Sequence, residues 1–184
     1  VVDKKFTVQH PLVLDYANSK YRSDFLDVWL MANSYFCISN GSGLDSISDI
    51  FRIPTVMVNF IPTTHLHSWQ NAITAPKRLF WDGDSQVELT LSEVLEHGYM
   101  RSEGYGTHNI KVVDLTSYEI TEAVNEMDMR LRCVYKETDT EIENQAEFWK
   151  IFRSGPRYLE LHGFIHPNNY ISSAFIRKNT NWLN

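Results

Sequence analysis

The chain has 184 residues, of which 43% are hydrophobic and 22% charged, values typical of a globular protein with one main core. A net charge of −6 and the lack of any basic stripe argue against a nucleic-acid partner. No run approaches the roughly 20 apolar residues that span a membrane, so we expect no membrane span. Two cysteines do not suggest a disulfide framework, and a cytoplasmic protein is therefore predicted.

The first part of the chain predicts one strand and one helix. It starts without methionine, in what reads as the middle of a domain, so we expect a fragment of a longer protein. Residues 11–16 predict a short strand ending in Asp15, whose carboxylate would either face a ligand crevice or make a local cap or salt bridge. Ser23 is a candidate N-cap for a helix that carries Phe25 and Trp29 on a broad apolar face.

The next segment has the pattern of a strand–helix–strand unit. Residues 35–38 and 55–60 are short uncharged runs of β-branched and aromatic side chains, typical of strands buried on both faces of a parallel sheet. Apolar residues recur at helical spacing between them, and the helix would cross over from one strand to the next. Ser42 and Asp45 are spaced as a capping box, with Asp in place of Glu.

The turn between the first strand and the helix is the main candidate site. We call it the 40–44 turn, and it consists of Asn40, Gly41, Ser42, Gly43 and Leu44. Free N–H groups and the positive end of a helix dipole can bind an anion, and glycines let a phosphate lie close to the backbone. The alternative is that the glycines only shape a tight turn and that Ser42 only caps the helix.

Polar and basic residues follow the second strand. His65 and His67 lie in a loop at its carboxyl end, where they suit a base or hydrogen-bond donor, a metal site, or ordinary loop histidines. Lys77 and Arg78 come after this loop and are candidates to neutralise a phosphate, the alternative being a solvated surface pair. No set of Cys and His residues has recognisable metal-ligand spacing, so no metal is predicted.

The rest of the chain predicts mostly helices. Thr90 with Glu93 and Thr116 with Glu119 are spaced as capping boxes that open a short and a long helix. Further predictions are a loop over residues 101–107, an edge strand or extended linker over 110–115, a second long helix over 140–153, and Cys133 on a helix. The overall prediction is an α/β, Rossmann-like parallel sheet with flanking helices in residues 1–115, and C-terminal helices packing on it in residues 116–184.

Several short motifs resemble a group of bacterial glycosyltransferases. They are Asp15-Tyr16-Ala17, the Ser23 to Asp27 run, Ser42-Gly43-Leu44, Asn59 between Pro54 and Pro62, and Pro76-Lys77. This group is similar to the C-terminal, donor-binding half of GT-B enzymes such as heptosyltransferases and the fucosyltransferase-like group. Heptosyltransferases usually continue this motif as Gly-Leu-His, whereas this chain has Leu44-Asp45-Ser46. The identity of the sugar donor is therefore not predicted.

The resemblance implies a function and a set of site residues. A nucleotide-sugar would be the donor, a glycan or lipid-linked molecule the acceptor in surface glycan synthesis, and neither a metal nor another cofactor would be needed. The 40–44 turn would hold the diphosphate, Asn59 and His65 would border the sugar or acceptor, and Lys77 would offset negative charge. The family's N-terminal acceptor half and its catalytic base would lie outside this chain, which leaves open whether the chain is active alone.

Two other functions stay open at this point. One is a nucleotide-sugar epimerase or hydrolase on the same fold. The other is a non-catalytic binding or assembly module that uses its aromatic surface and its C-terminal helices to contact a partner.

Overall fold

The core of the fold is a parallel sheet in the computed structural model, which describes residues 7–83, 87–100 and 102–184. The strands in chain order are β1 Cys37–Ser39, β2 Thr55–Phe60, β3 Ala72–Pro76, β4 Arg78–Trp81, β5 Ile110–Val113 and β6 Asn169–Ile171. β1, β2, β3 and β6 form the parallel sheet, side by side in that order, and β4 pairs with β5 in an antiparallel ribbon.

Helices lie before, between and after these strands. They are α1 Asp24–Ala32, α2 Asp45–Ile50, α3 Leu91–Glu96, α4 Ser102–Thr107, α5 Ser117–Leu131, α6 Asp139–Ser154, α7 Tyr158–Leu161 and α8 Ser173–Lys178. Short 3-10 turns cover Tyr16–Asn18 and Thr63–His65. Within the described ranges, none of the helices has both the length and the apolar character needed to cross a bilayer.

The predicted α/β architecture is confirmed: a parallel sheet is flanked by helices, and β1, α2 and β2 form the predicted strand–helix–strand unit. The capping predictions at three helices also hold. Ser23 Oγ accepts from the N–H of Leu26, and complete capping boxes open α3 and α5. These local signals succeed because a cap needs only side chains within one turn of the helix start.

Three predictions of where strands, helices and loops lie are wrong. Residues 11–16 form no strand: the carboxylate of Asp15 instead caps the Tyr16–Asn18 turn by accepting from the N–H of Asn18. Most of the predicted loop over 101–107 is α4, because Tyr105 is buried in a small second core and anchors the helix, while residue 101 lies outside the described residues. Cys133 follows α5 in a turn with a φ of 58°.

The hydrophobic core joins both halves of the chain. Val56, Met57 and Ile73 of the central strands are fully buried, and Met127 of α5 and Phe148 of α6 pack in the same cluster. Core residues therefore come from both sides of residue 115, and the segment 116–184 also contributes the strand β6. By contrast, no residue of α1 is buried, and Phe25 on this helix is 71% exposed.

A side chain closes the sheet beside β6. The Gln145 amide of α6 donates to the carbonyl of Ile171 at 2.6 Å, and its oxygen accepts from the N–H of Ile171 at 3.1 Å. Both residues are buried, so without Gln145 these two backbone groups would lose their partner away from water. Gln145 thus pairs with the strand much as another strand would.

We expect Gln145→Leu to destabilise the protein by about 2–5 kcal/mol, because two buried backbone groups lose their hydrogen bonds. Urea unfolding measures this change. Glu143→Leu on the exposed side of the same helix is the matched control and should change the free energy of unfolding by less than about 0.5 kcal/mol. Equal effects of the two substitutions would contradict the role of Gln145.

Candidate functional site

Most of the predicted site residues lie toward one edge of the parallel sheet. The 40–44 turn follows β1, Asn59 is near the end of β2, His65 ends the 3-10 turn after β2, and Lys77 follows β3. Carboxyl ends of parallel strands share one edge, which is where open α/β sheets bind ligands. The 40–44 turn, Asn59 and Lys77 therefore lie toward this edge, whereas His65 belongs to the connecting loop and contacts Thr64.

The 40–44 turn is exposed and keeps three amides unpaired. The N–H groups of Ser42, Gly43 and Leu44 donate to no acceptor within the described part of the chain. The neighbouring Gly41 N–H donates to Ser39 Oγ at 3.1 Å, and the Asp45 N–H donates to the Ser42 carbonyl. The turn therefore offers adjacent hydrogen-bond donors to solvent or to a ligand.

The predicted Ser42–Asp45 capping box is wrong. Leu44, with helical backbone angles, is the residue before α2, and no side chain caps this helix. Because the helix starts later than the box requires, Asp45 is its first residue, and its buried carboxylate accepts from Ser39 Oγ at 2.8 Å. A negative charge next to the helix start is stabilised by the dipole, and any anion bound to the turn would share this end with Asp45.

Phe60 connects the 40–44 turn to Lys77. Gly41 has a φ of 84°, and a Cβ at this position would lie 3.1 Å from the Phe60 ring. On the backbone side, the carbonyl of Phe60 accepts from the N–H of Lys77 at 3.1 Å. The structure thus brings Gly41 and Lys77 to the same residue at the end of β2.

Asn59 and Lys77 are both engaged with the segment after β5. Asn59 lies at a bulge in β2 with a φ of 51°, and its Oδ1 accepts from the N–H of Leu115 at 2.6 Å. Lys77 Nζ pairs with Asp114 at 2.7 Å. Asn59 therefore fixes the backbone next to the partner of Lys77, a positioning role that the sequence did not indicate.

The two loop histidines face different neighbours. His65 Nδ1 lies 3.0 Å from Thr64 Oγ1, and burial, Arg157 and His162 lower its pKa. The His67 ring stacks on Trp69 and accepts from the Gln70 amide through Nδ1. Burial lowers the pKa of His67, whereas Asp45 and Asp49 act in the opposite direction.

A buried Ser–His pair went undetected in the sequence. His162 Nδ1 lies 3.0 Å from Ser68 Oγ, and Nε2 donates to the Thr64 carbonyl at 2.8 Å. Ser68 is fully buried and His162 is 5% exposed, so no substrate can reach the hydroxyl. The pair therefore joins the loop after β2 to the segment after α7. Its residues are 94 positions apart, so no sequence motif links them.

Neither a metal cluster nor a known relative identifies the site. Among residues 7–83, 87–100 and 102–184, no three His, Cys, Asp or Glu side chains converge as they would around a metal ion. Comparisons of the chain with protein families, with curated proteins and with solved structures found no match.

We expect Gly41→Ala to destabilise the protein by about 1–2 kcal/mol, because a side chain at positive φ is strained and its Cβ would press on Phe60. Gly43→Ala is the matched control: a Cβ there meets nothing within 4 Å and should change stability by less than about 0.5 kcal/mol. Urea unfolding of both variants measures the difference. Equal stabilities would show that the turn does not need its left-handed residue.

Protonation of His162 should also lower the stability of the protein in mild acid. Burial lowers its pKa below the usual 6.5, with the hydrogen bond to Thr64 opposing the shift. As the pH falls below about 6.5, His162 takes up a proton more readily in the unfolded chain than in the folded one. The contribution of neutral His162 to the free energy of unfolding is therefore complete above this pH and decreases as the pH falls.

We therefore expect His162→Gln to reduce the slope of stability against pH by up to about 1.4 kcal/mol per pH unit, measured by urea unfolding between about pH 5 and pH 7.5. His65 and His67 have lowered pKa values too and remain in both proteins, so some slope persists. An unchanged slope in the variant would contradict the contribution of His162.

Proposed function

We propose that the chain is the nucleotide-sugar-binding part of a GT-B-type glycosyltransferase that transfers a sugar to a glycan or lipid-linked acceptor. One observation carries the proposal: the 40–44 turn exposes three amides that have no partner among the residues described by the structure. The turn lies at the carboxyl edge of a parallel sheet, and Phe60 connects it to Lys77. Nucleotide diphosphates suit such a place, because adjacent backbone N–H groups can donate to their oxygens.

The proposed chemistry is stabilisation of a departing diphosphate. When the bond between the sugar and the diphosphate breaks, negative charge grows on the phosphate oxygens, and fixed donors that face them lower the barrier. The amides of Ser42, Gly43 and Leu44 would supply these donors. The acceptor hydroxyl would attack the anomeric carbon and lose its proton to a base that is not assigned within this chain.

Lys77 would supply the cation for this charge. Its present partner Asp114 is 68% exposed, and an ion pair this open to solvent is weak. Exchange of Asp114 for a phosphate oxygen would therefore cost little. Asn59 would position this segment through Leu115, and His65 would border the sugar or acceptor in the loop after β2.

The carboxylate of Asp45 sets a limit on the bound anion. It lies at the first residue of α2, where it already takes up the positive end of the helix. In the proposal the phosphates therefore contact the amides of the 40–44 turn and the Lys77 side of the edge, away from this carboxylate.

Titration calorimetry of the chain with UDP, GDP, ADP and UDP-glucose tests the proposal. We expect saturable binding of at least one of them, weakened at least about tenfold in Gly43→Val and Ser42→Asp, because the first covers the amides and the second repels the phosphates. Gly83→Val is the matched control, since a Cβ there also meets nothing within 4 Å.

Two results of the binding experiment would overturn the proposal. One is the absence of binding by all four nucleotides, and the other is binding that Gly43→Val and Gly83→Val change equally. Product analysis distinguishes transfer from epimerisation or hydrolysis: sugar that is altered or released without an acceptor would contradict a transferase.

A further inference from the structure

A second cleft lies at the opposite, amino edge of the sheet. It has a volume of about 600 Å³, and its lining includes Asn71, which directly precedes β3, and Asn168, which directly precedes β6. The same two asparagines also line an adjoining cleft of about 270 Å³. The 40–44 turn follows β1 at the carboxyl edge, so the two sites lie at opposite ends of the strands.

Trp69 is fixed in place as one wall of this cleft. Its ring stacks on His67 at a centroid distance of 4.9 Å, and its Nε1 donates to Asp49 Oδ2 at 2.9 Å. Trp69 is nevertheless 43% exposed, and Phe164 beside the same cleft is 60% exposed. The indole is therefore an aromatic surface that is open to a ligand and already held in one orientation, so little ordering is needed on binding.

The polar lining of the cleft has hydrogen-bonding capacity to spare. The side-chain amides of Asn71 and Asn168 make no hydrogen bond within the described part of the chain, whereas their backbone carbonyls accept from the N–H groups of Thr55 and Ala72. The Gln70 side-chain nitrogen donates to His67, and its Oε1 is buried with no partner among residues 7–83, 87–100 and 102–184. An asparagine amide offers two donors and an acceptor, which suits ligands that carry many hydroxyls.

The charges of the cleft nearly cancel. Asp49 and Arg52 supply one carboxylate and one guanidinium, and the whole chain carries a net charge of −6. A phosphate-rich ligand would need a surplus of cations that this lining does not provide. An aromatic wall with neutral amide groups instead matches a neutral ring that has an apolar face and polar edges.

We infer that this cleft binds a neutral saccharide, with one sugar ring stacked on Trp69 and its hydroxyls bonded by Asn71 and Asn168. The adjoining cleft extends the same surface, and there Arg130 lies 3.7 Å from the centre of the Tyr170 ring. The site therefore holds an extended glycan away from the carboxyl edge. The inference of a saccharide site depends only on these contacts and not on the proposed nucleotide site.

NMR titration of the labelled chain tests this inference, with chitotetraose, maltotetraose, cellotetraose and mannotetraose as probes and uridine as a separate ligand. We expect at least one tetrasaccharide to shift the Trp69 indole N–H and the side-chain amide signals of Asn71 and Asn168 in a saturable way. Trp69→Ala should weaken this binding at least about tenfold, as truncation of an aromatic anchor does at other binding interfaces. Asn168→Ala should weaken it by about three- to tenfold, the effect of one hydrogen bond.

Two control variants separate this site from the rest of the molecule. Trp29→Ala removes another exposed indole, on α1, and should leave the affinity for the tetrasaccharide unchanged. Gly43→Val alters the 40–44 turn and should also leave it unchanged, so failure of the nucleotide site and failure of this site give different results. Asn168→Ala tests the site independently if Trp69→Ala fails to fold. Its own folding should be unaffected, because the Asn168 side chain has no partner within the described residues.

Three outcomes would overturn the inference. The first is that none of the four tetrasaccharides binds in a saturable way. The second is binding that Trp69→Ala and Trp29→Ala change equally. The third is Trp69-dependent binding of uridine without binding of any tetrasaccharide, which would make the cleft a nucleoside site.

Discussion

The structure depends on the burial of two central parallel strands. β2 and β3 pair with each other, each also pairs with an outer strand, and Val56, Met57 and Ile73 at their centre are fully buried. Parallel strands require crossover connections, and these cover the faces of the sheet. α2 and the loop of residues 61–71 provide two of these connections, while α5 packs against both central strands. The loops that connect these strands can carry ligand-binding groups, because the packed strands and helices fix both ends of each loop.

Buried and partly buried polar side chains complete the sheet where strands end. Gln145 pairs with the backbone of Ile171, and Asn59 accepts from Leu115 at the end of β2. Glu126 accepts from the N–H and the hydroxyl of Ser173, and Arg130 donates to the same carboxylate. Burial raises the pKa of Glu126, while these donors act against the rise. Such groups stabilise the fold only when all of their hydrogen bonds are made, since a buried polar group without its partner lowers the free energy of unfolding.

The two edges of the sheet have different chemistry. At the carboxyl edge the donors are backbone amides of an exposed turn, and their neighbours Asp45 and Lys77 carry opposite charges. At the amino edge the donors are amide side chains around Trp69, which His67 and Asp49 hold in place. His67 connects the two regions physically, because its ring also contacts Phe60 edge-on at 5.7 Å. A change at this histidine would therefore reach both edges.

The sequence by itself determined the local features: the parallel strand–helix–strand unit, the caps of α1, α3 and α5, and the exposed glycine turn after β1. These signals lie within a few residues of one another, where hydrophobic periodicity and side-chain caps act directly on the backbone. Prediction from the sequence was wrong where a contact outside the local segment decides the structure. α4 forms because Tyr105 packs in a second core, and the Asp45 carboxylate accepts a hydrogen bond from Ser39 instead of completing a capping box.

Only the tertiary structure decided which separated residues meet. It placed His162 against Ser68 and Asn59 against Leu115, and it brought Asn71 and Asn168 together at the amino edge beside Trp69. No spacing rule relates these positions, because they lie on different strands and loops that meet only after the sheet has formed. The physical reason is that the pairing of β3 with β6 joins segments far apart in the chain, and contacts of this kind leave no periodic trace in the sequence.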